Sequence, residues 1–106
     1  MDHPGIVQHA VLLSLVLFGL GTLGVFLRRN VITVLMCVEL MLNGVNLAFV
    51  AFSRAAATPR ALDGQVLVFF VMVVAAAEAA VGLAIVVSVY RTRKRIDLDA
   101  VSELRN

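Results

Sequence analysis

The sequence predicts an all-α membrane protein with three transmembrane helices, the N-terminus outside (periplasmic) and the C-terminus cytoplasmic. Three observations lead there. The 106 residues are 61% hydrophobic, with a mean hydropathy of +1.00. A soluble domain of that length leaves a large fraction of its surface in water and cannot hide so much apolar area. Three apolar runs each reach the about 20 residues that a helix rising about 1.5 Å per residue needs to cross a bilayer. The Lys and Arg residues gather at the ends of those runs rather than on one soluble face.

The chain reads as a single membrane domain, 1–106. The first run, about 5–27, holds no acidic, Lys or Arg residue. Gln8 and His9 lie near its start, and Arg28, Arg29 and Asn30 close it. No small-x-small cleavage site follows it, so it is expected to be a retained helix and not a signal peptide. His9 is expected at the membrane interface. The second run, 31–52, has Glu39 as its only charged residue. Residues 53–63, with Arg54, Pro59, Arg60 and Asp63, are expected to form a polar loop. The third run, about 64–90, has Glu78 as its only charged residue. Residues 91–106 form a polar tail, opening on Arg91, Arg93, Lys94 and Arg95, a cluster suited to a cytoplasmic headgroup surface. The alternation of apolar and acidic residues beyond it fits a docking segment or a frayed terminus equally well.

Orientation follows from the basic residues. Three spans put Arg54 and Arg60 on one side and Arg28, Arg29, Arg91, Arg93, Lys94, Arg95 and Arg105 on the other. Seven against two places the 28–30 turn and the C-terminus in the cytoplasm. A turn that short makes the first two helices antiparallel neighbours. Gly19, Gly21 and Gly24 in the first helix, and Ala75, Ala76, Ala77, Ala79, Ala80, Gly82 and Ala84 in the third, suit close packing against protein. Small residues let backbones approach where no hydrophobic effect drives helices together.

Other chemistries are disfavoured. The net charge of +2 is spent on orientation rather than on a nucleic-acid face. The single cysteine, Cys37, can form neither an internal disulfide nor a Cys-based metal site, and it reads as a packing residue. Met36, Met41 and Met72 read likewise. There is no nucleotide loop, catalytic triad, metal-ligand cluster or haem ligand pair. The expectation is no cofactor and no metal on this chain.

Glu39 and Glu78 carry the functional reading. A charged side chain at the centre of a membrane helix costs about 2.5–3.5 kcal/mol on an insertion scale. Two in one short chain point to function, against a structural alternative of protonated carboxyls joining helices. Counted from Val31, Glu39 lies about 12 Å from the cytoplasmic edge; counted from Tyr90, Glu78 lies about 18 Å from it. Both fall in the middle third of an about 30 Å core. Desolvation favours the neutral form of a carboxyl in general, and a carboxyl that can switch charge is a proton-relay element. Asn43 and Asn46 share the Glu39 face at i+4 and i+7. They either bridge helices or line a hydrated path. Glu78 is flanked instead by Ala75 and Gly82. The apolar spans contain no Lys or Arg, so any cationic partner for the carboxyls comes from another chain.

Three spans with a glutamate in the second and third, in about 100 residues, resemble the K subunit of proton-pumping NADH-quinone oxidoreductase (bacterial complex I), the mitochondrial 4L subunit. The likeness covers nearly the whole chain. It is carried by Arg28-Arg29-Asn30, Glu39 with Asn43, Asp63-Gly64-Gln65, Ala76-Ala77-Glu78-Ala79 and Val101-Ser102-Glu103, in order. The resemblance implies a membrane-arm subunit beside the A, J and antiporter-like N subunits, in the inner (plasma) membrane. It implies that Glu39 and Glu78 belong to the line of buried charge linking quinone reduction to proton translocation, and that Arg28 and Arg29 are the family's cytoplasmic-turn arginines. NADH, FMN, iron–sulfur clusters and quinone would then be bound by other subunits, and this chain would not be catalytic alone. The competing readings are the C-type small subunit of a multisubunit sodium/proton antiporter, a small drug/proton transporter and a purely structural subunit. The first generally resembles this family without keeping both glutamates. The second has four spans and its key glutamate in span one, where this chain has none.

Overall fold

A computed structural model describes residues 5–56 and 59–105. It contains α1 (Ile6–Leu27), α2 (Val31–Ala55) and α3 (Ala61–Arg105). All three are long and apolar enough to cross a membrane, and the chain is a membrane protein of helices alone among its described residues. In lipid every backbone N–H and C=O must find its partner within the chain, and a helix does this within one segment. Three hydroxyls on the helices bond back to their own helix in the same way. Ser14 donates to Val11 O (2.6 Å), Thr22 to Phe18 O (2.8 Å) and Thr92 to Ser88 O (2.9 Å).

The ends have local causes. Gly5 precedes α1 with φ 109°, a left-handed conformation that glycine adopts without strain. His9 Nδ1 donates to the Gly5 carbonyl at 2.6 Å. Arg28 leaves the helix with extended backbone, its N–H still bonded to Gly24 O. Asn30 starts α2: its Oδ1 accepts the Ile32 N–H at 2.9 Å, satisfying one of the amides a helix start leaves free. α2 runs to Ala55, so Arg54 sits in its last turn rather than in a loop. α3 begins at Ala61 with Asp63 in its first turn, where the helix dipole favours an anion. Residues 57–58 of the expected loop lie outside the described residues.

α3 does not stop at Tyr90. It continues unbroken to Arg105, through the stretch expected to be a polar tail. Nothing from Arg91 to Arg105 is a helix breaker, and that stretch has no Gly or Pro. The 45 residues span about 67 Å at helical rise, more than twice a hydrocarbon core. The molecule is accordingly long and thin, 74 × 26 × 18 Å.

The helices stand in a row. α2 packs against α1 on one side and α3 on the other, and among the described residues α1 and α3 do not meet. The α1–α2 seam is a glycine seam. A Cβ placed on Gly44 would lie 2.8 Å from Ser14 O and 3.1 Å from Phe18 N, so α1 backbone occupies that space. From the other side, a Cβ on Gly21 would lie 2.6 Å from Cys37 O, and one on Gly24 would collide with Cys37 Sγ. Cys37 and Met41 are therefore packing residues against these glycines. Gly19 points elsewhere, with nothing within 4 Å of its Cβ position. Met36 and Met72 also face outward. Among the described residues most large apolar side chains are exposed and none is fully buried, which is a chain built to be covered by lipid or by other proteins.

Gly44→Ala is expected to destabilise the chain by about 1–3 kcal/mol through overpacking against α1. Gly19→Ala is expected to be neutral or slightly stabilising, because Ala is the better helix former. Thermal stability of the two variants in detergent or nanodiscs checks the difference.

Candidate functional site

The α2–α3 seam positions the two carboxyls. A Cβ on Gly64 would lie 2.7 Å from Ser53 Cβ, and one on Gly82 would lie 3.7 Å from Leu35 Cδ1. Ser53 to Leu35 is eighteen residues along α2, and Gly64 to Gly82 is eighteen along α3. The two contacts therefore belong to one antiparallel register. Four residues up from Leu35 is Glu39, and four residues back from Gly82 is Glu78. The glutamates are level. This corrects the depth counting, which put Glu78 about 6 Å deeper. That count treated Tyr90 as level with Val31. In the observed register Val31 is level with Val86, and α3 carries apolar residues one turn further before its first arginine.

Level does not mean facing. On α3 the seam runs along Val68, Ala75 and Gly82, a seven-residue spacing that stays on one helix face; Val68 and Ala75 are buried. From Ala75, Ala79 is turned about 40° to one flank and Glu78 about 60° to the other. Glu39, half-buried, lines a groove of about 510 Å³ with Ile32, Leu35, Asn43, Ala79 and Leu83 among its neighbours. Glu78 is exposed and lines two other grooves, one of about 290 Å³ with Leu42 and Ala75 and one of about 430 Å³ with Gly82 and Ile85. The Glu39 groove shares no residue with either. The structure thus brings the carboxyls to one height on opposite flanks of the seam.

The asparagine stripe divides as well. Asn43 is exposed and lines the Glu39 groove. Asn46 is only 7% exposed. It lies on the α2 face that carries Leu35 and Ser53, both of which touch α3. Arg28 and Arg29 are exposed in the turn between α1 and α2. Asn30, passed over as a functional residue, is the cap of the helix that carries Glu39. Its position directly before an apolar run is the available sign of that role. Among the described residues no group of three or more His, Cys, Asp or Glu is placed to hold a metal ion.

Fold and site define a class of protein: a small three-span helical membrane subunit with one carboxyl on each flank of a helix pair. The chain belongs to the NADH-ubiquinone/plastoquinone oxidoreductase chain 4L family, whose model matches residues 9–106. It is 53% identical over 95 residues to NADH-quinone oxidoreductase subunit K 2 of Geotalea uraniireducens, covering 90% of this chain and 92% of that protein. It is 52% identical to subunit K 2 of Geobacter metallireducens and 50% identical to subunit K 1 of Geotalea daltonii, with the same coverage.

The register can be tested directly. With Cys37→Ser as background, the pair Ser53→Cys and Gly64→Cys is expected to form a disulfide on oxidation, because these positions touch. Ser53→Cys with Val68→Cys, one turn further along α3, is expected to stay reduced. Intact mass after thiol alkylation distinguishes them.

Proposed function

We propose that this chain is a membrane-arm subunit of proton-pumping NADH-quinone oxidoreductase, in which Glu39 and Glu78 form one segment of the relay that couples quinone reduction to proton translocation. The observation that carries this reading is the pair of level carboxyls, one opening to each flank of the α2–α3 pair, in a chain of the 4L family. A carboxyl in a low-dielectric span changes the local potential strongly when it gains or loses a proton. Two at one height pass such a change sideways along the membrane, from a neighbour on one flank to a neighbour on the other. On this reading the chain is one segment of a relay and not a complete channel.

The grooves beside Glu39 and Glu78 face two different surfaces, which suits a subunit wedged between others. Subunits of the A, J and antiporter-like N type are the proposed neighbours. The basic count supports a periplasmic N-terminus, with the 28–30 turn and the α3 extension cytoplasmic, in the cell inner membrane. NADH, FMN, iron–sulfur clusters and quinone are bound by other subunits. The chain acts as a non-redox part of the enzyme and has no catalytic activity alone. Asn43 supports Glu39 from the same groove. Arg28 and Arg29 hold the cytoplasmic turn at the headgroup surface.

In the assembled complex, Glu39→Gln is expected to lower NADH-driven proton pumping at least tenfold, and Glu78→Gln to lower it severalfold. Glutamine keeps the side-chain size but cannot carry the proton. Pumping at the parental rate in both variants, with normal assembly, sinks the relay. Replacing Arg28 and Arg29 together by Ala is expected to reduce activity or assembly more than replacing Arg54 and Arg60 together. NADH oxidation in membrane vesicles, normalised to assembled complex, makes that comparison.

A further inference from the structure

Asn46 Oδ1 is buried and accepts no hydrogen bond from any described residue. Asn46 is seven residues before Ser53, and Val71 is seven after Gly64, so the two are level in the α2–α3 register. Next along the seam on α3 lie Val68 and Ala75, both buried. None of these side chains can donate a hydrogen bond. Exchanging the amide oxygen and nitrogen gives it no side-chain partner either, since Val68, Val71 and Ala75 can no more accept a hydrogen bond than donate one. A buried polar group in a native protein finds a partner, and where no side chain can reach, that partner is an ordered water. Asn46 as a whole is 7% exposed and lies on the α2 face that meets α3, so a bulky side chain of another subunit is a poor fit. A water is small enough to sit beside the amide and can donate to its oxygen.

We propose that Asn46 holds a buried water in the α2–α3 seam and that this water continues the polar line that starts at Glu39 and Asn43. The inference rests on the relay reading for its function, though not for the water's presence. Asn46 is seven residues from Glu39, about 10 Å along α2. Asn43 lies between them, one turn from Glu39 and open to its groove. The line therefore runs from a groove on the flank into the seam itself. Small residues at Ala75 and Ala79 leave room along it. Asn46 is a positioning residue: it holds the water and transfers no proton itself.

The test uses the assembled complex. High-resolution electron cryo-microscopy is expected to show solvent density within about 2.7–3.2 Å of the Asn46 amide. Asn46→Leu, close in size and without polar atoms, is expected to lose that density and to lower protons pumped per NADH oxidised at least twofold. Asn46→Ser, which keeps an oxygen and leaves space, is expected to retain most of that ratio. If Asn46→Leu fails to assemble, Asn46→Ala provides the same comparison without added bulk. A protein side chain found donating to Oδ1, or no density there, overturns the water site. A parental pumping ratio in both Asn46→Leu and Asn46→Ala overturns its part in the relay. The Glu39→Gln variant run in parallel separates the two ideas. If it loses pumping while the Asn46 variants keep theirs, the relay stands and this extension falls. If it too keeps parental pumping, the relay reading itself falls.

Discussion

α2 meets α1 at glycine distance on one side and α3 along small residues on the other, and the remaining features follow from those two contacts. Lipid supplies no hydrophobic force to press helices together, so association depends on close backbone approach and on the polar groups it brings into range. Gly21, Gly24 and Gly44 allow that approach on the α1 side. Gly64, Ala75 and Gly82 allow it on the α3 side. Because α1 and α3 do not meet among the described residues, both are placed by their contacts with α2.

The α2–α3 contact has consequences for chemistry. Its register makes Glu39 and Glu78 level, and its width keeps them apart. Had the glutamates faced each other across the seam, they would have formed a closed carboxyl pair. Placed on opposite flanks, each instead opens to its own groove and is available to a separate neighbour. The exposed apolar surface around them belongs with the same design: a row one helix thick has two broad faces and almost no interior.

α3 adds a second dimension. A helix of 45 residues cannot lie wholly within a hydrocarbon core of about 30 Å. Its last fifteen residues continue as an exposed helix bearing the basic cluster and, beyond it, Asp97, Asp99 and Glu103. The extension is continuous with the spanning part of the helix. Of the two alternatives raised by its composition, a docking segment and a frayed end, the unbroken helix is at odds with the frayed end.

The number of spans, their order and the antiparallel start were legible in the chain because each depends on local quantities. Run length decides whether a helix can cross, and the three residues of the 28–30 turn leave no freedom for any other neighbour. The residue types of the site were legible for a similar reason: a charge or an amide inside an apolar run is conspicuous wherever the run folds. Which glycines face inward was not, and Gly19 and Gly21 look alike until α2 lies against one of them. Relative height was misjudged because counting from Tyr90 treats it as level with Val31, whereas the contact register pairs Val31 with Val86. The stripe of Glu39, Asn43 and Asn46 is a true helical face, yet only packing separates an asparagine open to a groove from one enclosed in a seam. The sequence by itself determined that two carboxyls would stand inside membrane-length helices, because periodicity and run length are properties of one segment. The tertiary structure alone decided that they stand level and face apart, because register and flank are properties of two helices in contact.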